Sequence, residues 1–314
     1  MKFKKPKFWD LKKPNLISNI FLPLTLPIEI NNFFLKKKIK KKNDKIKTIC
    51  VGNIYIGGTG KTPTTLKLSK ILKELKLKTC IGKKYYSSHI DEKMILEKKT
   101  NLICLESRQE IIKSAIEQKY DFLIFDDGLQ DKKVSYDLEF VCFDAHNWIG
   151  NGNLLPSGPL REKVSSLKKY DAVFLKDNDP KIDTIEKSIK EINPNIKIFN
   201  TNYKILNINE FNLNDNYLAF SGIGNPLSFK KTLIKNKFKI IDEIIFPDHF
   251  DYKKKDIDQI KKRAKNINAK IITTEKDFSK ISKIDNTDIN FVEVDLVIEN
   301  DTDLINFLKS KIYE

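Results

Sequence analysis

The residues best suited to chemistry form a glycine-rich stretch, Gly57–Thr62, that ends in Lys-Thr. An apolar run, Ile46–Val51, precedes it, and a helix-like segment from Pro63 to Leu75 follows it. A strand, a glycine loop and a helix in this order attract phosphate through backbone N–H groups and the helix N-terminus. The lysine reaches the β- and γ-phosphates, and the threonine hydroxyl binds Mg²⁺. The pattern predicts a nucleoside triphosphate site built from Tyr55, Ile56, Gly57, Gly58, Thr59, Gly60, Lys61 and Thr62.

Tyr55 occupies the position where the strict phosphate-loop pattern has its first glycine. A chance glycine turn is therefore an alternative interpretation, although the flanking strand and helix argue against it. Ile56 stands where one class of phosphate-loop ATPases carries a second lysine, so the sequence argues against that class.

A second chemical feature is the pair Asp126 and Asp127, which ends a run of four apolar residues, Phe122–Phe125. Such a run is typical of a buried parallel strand. Ligands bind at the carboxyl ends of strands in an open α/β sheet, so we expect the pair beside the phosphate loop. The carboxylates are predicted to hold Mg²⁺ and to orient a nucleophile. The alternative is an ordinary turn, since Asp-Asp-Gly is favourable turn chemistry.

The elements that must position these residues alternate between strand-like and helix-like segments. Further strand-like runs cover residues 78–81, 101–105, 138–143 and 172–175, and Arg108–Gln118 is helix-like. Alternation of this kind indicates a mostly parallel sheet. We therefore predict an α/β fold with a sheet like that of phosphate-loop NTPases.

The alternation restarts after Asn200, which predicts a second, smaller α/β domain. Its expected elements include a single strand over Phe291–Ile298 and a final helix over Thr302–Lys311. A polar stretch over residues 195–215 is the expected boundary. The predicted parts are an N-terminal segment (1–47), a nucleotide-binding core (48–205) and the smaller α/β domain (206–314).

Asp248 and His249 lie at a predicted strand end in the second domain. The chain has only 3 histidines, and an Asp-His pair at a strand end favours a functional role over a structural one. A lone structural histidine is the alternative interpretation.

The net charge of +16 is concentrated at one end of the chain. Residues 1–47 contain 14 lysines and 3 acidic residues, which account for +11, and the rest contributes only +5. The charge therefore does not indicate a nucleic-acid groove across the protein. The 4 cysteines are widely separated in or beside apolar runs, which predicts buried thiols and no zinc site.

Lysine clusters flank an apolar stretch from Leu16 to Leu35 that is nearly long enough to cross a bilayer. The stretch contains prolines and Glu29, so we predict amphipathic helices that lie in the plane of an anionic membrane. The candidates for the headgroup boundary are Trp9, Phe21, Phe33 and Phe34. The alternative is a helix packed on the domain, and a nucleic-acid arm fits the long apolar insert less well.

Taken together, these motifs resemble those of the tetraacyldisaccharide 4′-kinase (lipid A 4′-kinase) family. The matching blocks keep the family's order along most of the chain. They are Gly52-Asn53, Ile56–Pro63, Asp126–Gln130, Gly150–Glu162, Gly224–Pro226, Phe246–His249 and Thr273–Asp277.

The resemblance implies a phosphate-loop kinase that moves the γ-phosphate of ATP to the 4′-hydroxyl of a lipid A disaccharide precursor, giving lipid IVA. ATP and Mg²⁺ are the implied cofactors. The glycolipid and an anionic membrane surface are the implied partners, and no nucleic acid is expected. The implied location is the cytoplasmic face of the bacterial inner membrane.

The same resemblance assigns individual roles. Asp91 matches the aspartate that activates the acceptor hydroxyl, and His249 matches the histidine paired with it. Arg108 and Arg161 match arginines near the phosphates. The implied catalytic residues are thus Asp91, His249, Lys61, Arg161 and Arg108, and the predicted metal ligands are Thr62, Asp126 and Asp127.

Two rival functions remain open. A membrane-recruited phosphate-loop ATPase or GTPase switch is the first, but the chain lacks the guanine-reading Asn-Lys-x-Asp motif. A non-enzymatic basic adaptor is the second, and it leaves the phosphate loop and the paired aspartates without a purpose.

Overall fold

The computed structural model describes residues 5–37, 45–86, 90–131, 133–176, 181–282 and 284–312. These residues divide into two units, each with its own sheet. The larger unit contains the described residues within 5–86, 96–202 and 296–312, and the smaller unit contains residues 90–95 and 203–295 as far as they are described.

The strands are β1 (Lys47–Gly52), β2 (Thr79–Lys84), β3 (Leu102–Leu105), β4 (Phe122–Asp126), β5 (Leu138–Asp144), β6 (Ala172–Lys176), β7 (Lys197–Ile205), β8 (Asn216–Ser221), β9 (Lys239–Ile245), β10 (Lys270–Thr274), β11 (Ile289–Val292) and β12 (Val294–Ile298). The helices are α1 (Leu16–Phe21), α2 (Leu26–Lys37), α3 (Lys61–Glu74), α4 (Ile90–Lys99), α5 (Arg108–Glu117), α6 (Ile182–Ile192), α7 (Pro226–Lys235), α8 (Lys254–Asn266), α9 (Glu275–Ile281) and α10 (Asp301–Ile312).

The larger sheet has the strand order β12-β7-β6-β5-β1-β4-β2-β3. Strand β1 pairs in parallel with β4 on one side and with β5 on the other. Every residue of β4 is buried, as expected of a strand covered on both faces. The register places Val51 opposite Asp126, so the carboxyl ends of β1 and β4 meet at one edge. The predicted α/β class with a mostly parallel sheet is confirmed.

Helices cover this sheet on two sides. Alternate residues of β1 point to opposite faces: Ile49 and Val51 belong to one apolar cluster and Cys50 to another. Helices α3 and α10 contribute to the first cluster, and α5 and α6 contribute to the second. Helix α3 is thereby held directly behind the carboxyl end of β1, where the glycine loop lies.

The smaller sheet has the order β11-β10-β8-β9, and all of its pairs are parallel. Helix α7 packs with Tyr217 and Ala219 of β8, and α8 packs with Leu218 and Phe220 of the same strand. The alternation along β8 therefore places one helix on each face of this sheet.

The division of the chain differs from the predicted boundaries. The expected single strand over Phe291–Ile298 is wrong, because β11 ends at Val292 in the smaller sheet and β12 pairs with β7 in the larger one. Strand β7 also occupies part of the stretch expected as a polar linker. The last helix, α10, belongs to the larger unit because Leu304 and Leu308 are buried in its core.

The N-terminal segment is docked on the loop that follows β5. Trp9 is only 2% exposed, and its Nε1 donates a hydrogen bond to the carbonyl of Pro156 at 3.0 Å. Ser18 is buried and receives a hydrogen bond from Asn151 Nδ2 at 2.8 Å. Gly150 has a φ of 58°, and a Cβ there would lie 2.2 Å from the carbonyl oxygen of Trp9. Trp9 is therefore an anchor within the protein, and its predicted place at the headgroup boundary is wrong.

The other side of this segment exposes apolar side chains. Leu16 is 77% exposed and Ile20 is 67% exposed. Further exposed members of this apolar face are Ile17, Leu22, Leu24, Leu26, Ile30 and Phe33. Among the described residues, no helix is both long enough and apolar enough to cross a membrane. The segment thus combines a docked face with an apolar face that the described residues leave exposed.

Candidate active site

The glycine loop follows β1 and leads into α3, which begins at Lys61. Gly57 and Gly60 have φ values of 133° and 88°, a conformation that favours glycine. Asn53 Nδ2 donates to the carbonyl of Gly57 at 3.2 Å and to Thr59 Oγ1 at 3.1 Å, which fixes the curve of the loop. The N-terminus of α3 faces this turn, so the arrangement is suited to binding phosphate.

Asp126 ends β4 beside the loop and is fully buried. Its Oδ2 accepts hydrogen bonds from Thr62 Oγ1 at 3.0 Å and from Lys83 Nζ at 2.6 Å. Its Oδ1 is buried and accepts no hydrogen bond from the described residues. Such an orphaned carboxylate oxygen next to a threonine hydroxyl fits an oxygen-preferring cation such as Mg²⁺.

Asp127 faces the cationic side chains of the loop. Its Oδ2 lies 3.8 Å from Lys61 Nζ and 3.4 Å from Arg161 Nη1. Burial alone would raise the pKa of the Asp127 carboxyl, but Lys61 and Arg161 outweigh burial and hold that pKa below its ordinary value. Asp127 is therefore an anion that balances the cations at this loop.

Arg108 holds the turn that follows β4. Ser107 caps α5, so Arg108 is the first residue of the helix. Its Nη1 lies 2.7 Å from Asp131 Oδ2, and its Nη2 donates to the carbonyl of Asp127. Gly128 leaves room for this guanidinium, since a Cβ there would lie 3.0 Å from Arg108 Nε. The structure thus brings together Lys61, Thr62, Asp126, Asp127, Arg108 and Arg161 around one turn.

A hydrogen-bond network connects this turn to the glycine loop. Gln130 Nε2 donates to the carbonyl of Asn53 at 3.0 Å and to Glu162 Oε1 at 2.9 Å. Because both partners are acceptors, Gln130 Oε1 is left to accept from Arg161 Nη1 at 3.3 Å. Tyr170 donates to the same Glu162 oxygen at 2.9 Å, so the carboxylate is held in place.

Tyr55 has a structural place that the sequence did not reveal. The side chain is 2% exposed, and its hydroxyl donates to Asp10 Oδ1 at 2.7 Å and is bonded to Lys5 Nζ. The Tyr55 ring is therefore committed to the N-terminal segment. Only its backbone remains for the predicted contact with phosphate, and that contact stays a prediction.

Asp91 and His249 both belong to the smaller unit. Asp91 lies in the first turn of α4, and its side chain is outside the described part of the structure. His249 follows β9, and its backbone N–H donates to the carbonyl of Gly222 at 3.2 Å. The pairing of Asp91 with His249 therefore stays a prediction.

Two contacts at the site were not predicted. Lys83 pairs with Asp126 because β2 and β4 are neighbours in register, with Gly82 opposite Phe125. The available signal for Lys83 was a pair of lysines, Lys83 and Lys84, at the end of a strand. Gln130 and Glu162 lie in motif blocks, but their spacing in the sequence does not reveal that they touch.

A parallel sheet with a glycine loop after a central strand, and with carboxylates at the end of the adjacent strand, defines a phosphate-loop nucleoside triphosphate-binding protein. Comparison with known protein families gives a more specific assignment. The chain belongs to the tetraacyldisaccharide-1-P 4′-kinase family, whose model matches residues 24–90 and 87–313. The family and enzyme class expected from the motifs are confirmed.

Relatives and a solved structure agree with this assignment. A tetraacyldisaccharide 4′-kinase of Pelagibacter ubique is 47% identical over 308 residues, which cover 98% of each chain. A protein of the same name from Rickettsia felis is 33% identical over 328 residues, with 98% of each chain covered. The crystal structure of LpxK from Aquifex aeolicus in complex with ATP is 21% identical, has a TM-score of 0.68, and matches over 95% of this chain and 100% of that one. That structure supports the fold, and the alternative of a membrane-recruited switch is not favoured.

Proposed function

We propose that the protein transfers the γ-phosphate of ATP to the 4′-hydroxyl of a tetraacyldisaccharide 1-phosphate, giving lipid IVA. Membership of the 4′-kinase family supports this reaction. The observation that carries it is the contact of Thr62 with Asp126, because that contact brings the glycine loop and the aspartate pair into one site. ATP is the proposed donor, as it is the nucleotide bound by the Aquifex aeolicus protein.

Phosphoryl transfer depends on alignment and on neutralising charge more than on covalent help from the protein. We assign Lys61 and the backbone of the loop to binding the phosphates. Arg161 is assigned to neutralising the negative charge that develops during transfer. Asp127, ion-paired with Lys61 and Arg161, keeps these cations oriented toward the loop. Asp91, steered by His249, is proposed to accept the proton of the acceptor hydroxyl.

Mg²⁺ is the proposed metal ion, and the residues present fit it. Thr62 and Asp126 would hold it, because they supply a hydroxyl and a carboxylate oxygen that accepts no hydrogen bond from the described residues. When bound, Mg²⁺ neutralises charge on the phosphate oxygens. Lys83 keeps Asp126 Oδ2 engaged, so Oδ1 would be the oxygen available to the metal or its water.

An assay with the purified full-length chain tests the proposed reaction. Tetraacyldisaccharide 1-phosphate and radiolabelled ATP are expected to yield a lipid that carries the label at its 4′-position. An acceptor in which the 4′-hydroxyl is replaced by hydrogen is the matched control and should stay unlabelled. ATP binding without any label on the lipid would contradict the proposed function and favour a nucleotide-dependent switch.

Asp126→Asn is expected to raise the Mg²⁺ concentration needed for half-maximal activity by about tenfold or more. The asparagine removes the charge of the side chain but keeps its size and an oxygen that can accept from the Lys83 ammonium, whereas alanine would remove that acceptor as well. Activity is measured against Mg²⁺ at saturating ATP, and excess Mg²⁺ should restore part of the rate. Glu106→Gln, an exposed carboxylate before α5, is the control. An unchanged Mg²⁺ requirement for Asp126→Asn would remove Asp126 from the metal site.

We further propose that the apolar face of residues 16–33 rests on an anionic membrane, at the cytoplasmic side of the inner membrane. The docked face fixes the segment's orientation through Trp9 and Ser18, so the exposed side chains point away from the loop after β5. The lysines that flank the segment add attraction to anionic lipid.

The double variant Leu16→Ser/Ile20→Ser is expected to reduce co-sedimentation with anionic vesicles by tenfold or more. Burying one such side chain contributes about 1.5–3 kcal/mol, and about 1.4 kcal/mol corresponds to a factor of ten. Ile234→Ser, which alters an exposed apolar residue on α7, should leave vesicle binding unchanged. Parental binding by the double variant would mean that this face serves another purpose.

A further inference from the structure

His249 is held in an unusual backbone conformation in the smaller unit. Its φ is 54°, a region that residues other than glycine seldom occupy. Its N–H donates to the carbonyl of Gly222 at 3.2 Å and to Asp248 Oδ1 at 3.0 Å. Residues other than glycine stay in this region only when the contacts around them hold the backbone there, and such residues cluster at functional sites.

The backbone of Gly222 connects this turn to helix α9. The N–H of Gly222 donates to Asp277 Oδ2 at 2.9 Å, while its carbonyl receives the bond from His249. Asp277 is fully buried and also accepts from Tyr252 at 3.1 Å and from Thr274 Oγ1 at 2.8 Å. The position of α9 is therefore fixed relative to the histidine.

Helix α9 carries Lys276 directly beside the imidazole ring. Its Nζ lies 3.5 Å from His249 Nε2 and 3.4 Å from Asp248 Oδ1. The Lys276 side chain is 17% exposed, so its position is set by packing as well as by charge. An ammonium group can only donate hydrogen bonds. A hydrogen bond from Lys276 therefore requires His249 Nε2 to be the acceptor.

We propose that Lys276 is a positioning residue that fixes the tautomer of His249, with Nε2 as acceptor and the proton on Nδ1. The inference rests on the proposed function, since it concerns the histidine that is proposed to steer Asp91 as it accepts the proton of the substrate hydroxyl. Nδ1–H is then the ring group left to donate to a carboxylate, and Asp91 is the carboxylate proposed for this pairing. Lys276 thereby gives the Thr273–Asp277 motif a role at the site.

The tautomer is measured directly by two-bond ¹H–¹⁵N correlation spectra of protein labelled with ¹⁵N-histidine. The chain has 3 histidines, so a His249→Gln variant identifies the signals of this ring. At mildly alkaline pH the parental ring is expected to carry its proton on Nδ1. In Lys276→Met the Nε2-protonated form, which free imidazole side chains prefer, should become the major one. Lys255→Met, an exposed lysine on α8, should leave the His249 signals unchanged.

Kinetics give the second readout. Lys276→Met is expected to lower kcat about tenfold through the loss of an oriented ring, with the KM for ATP unchanged. Lys276→Arg keeps a donor at this place and should retain the parental tautomer and most of the rate.

A parental His249 protonated on Nε2 would overturn the proposal, and so would a Lys276→Met protein whose tautomer matches the parent. A parental Nε2 tautomer overturns the proposal whether or not a Lys276 variant folds. Absence of lipid phosphorylation by the parent would refute the proposed function and leave the tautomer result standing, so the two failures are distinguishable.

Discussion

Replacing Lys61 by alanine is expected to lower kcat by on the order of 10²-fold or more while the protein stays folded. Lys61 is the first residue of α3, and its ammonium lies 3.8 Å from Asp127 at the mouth of the glycine loop. The substitution removes a cation from the place where the transferred phosphate gains charge. The readout is the steady-state rate of lipid phosphorylation, with the thermal midpoint as a check on folding.

Lys70→Ala is the matched control, because Lys70 lies on the same helix with an exposed side chain. It should keep the parental rate. If Lys61→Ala also kept its rate within a few-fold of the parent, the assignment of residues 57–62 to phosphate binding would have to be abandoned.

Alanine at Asp91 or at His249 is expected to lower kcat by about 10²–10⁴-fold, the range that general acid–base catalysis contributes. ATP binding should stay close to parental, because the glycine loop belongs to the larger unit. Nucleotide binding measured by calorimetry separates a loss of chemistry from a loss of substrate.

The double variant Asp91→Ala/His249→Ala decides whether the two residues act together. Residues that act as one unit give losses that are far from additive in free energy. We therefore expect the kcat of the double variant to be little lower than that of the less active single variant. Losses that multiply in full would contradict the pairing, and a fully active Asp91→Ala protein would make Asp127 the leading candidate for the base.

The phosphate loop and the aspartate pair were predictable because each consists of residues that are close together in the sequence. Gly57–Thr62 follows an apolar run, and Asp126 and Asp127 follow another. In an open parallel sheet both features must lie at the carboxyl edge, so their proximity follows from the fold class alone. The contact of Thr62 with Asp126 confirms that expectation.

The partner of Asp126 was not predictable in the same way. Lys83 reaches Asp126 only because β2 is the neighbour of β4, and strand order is not encoded in the local pattern. Similarly, Tyr55 departs from the phosphate-loop pattern in the sequence, and only the structure shows that its side chain contacts Asp10 in the N-terminal segment. In both cases the missing information is a contact between residues far apart in the sequence.

The last predicted strand failed for a related reason. Residues 291–298 read as one strand, yet the chain leaves the smaller sheet after Val292 and joins the larger sheet from Val294 onward. Each half satisfies its own sheet, and no turn residue separates them. Periodicity describes a strand locally but does not say which sheet it joins.

The smaller unit is formed mainly by residues 203–295, whereas the larger unit is completed by β12 and α10, which follow that stretch in the sequence. Ile298, Leu304 and Leu308 cover Phe140 and Phe174 in one apolar cluster. A molecule interrupted before residue 296 would contain every predicted catalytic residue and still present an unfinished apolar surface to chaperones and proteases. Completion of the larger core therefore depends on α10, a helix that carries none of the predicted catalytic residues.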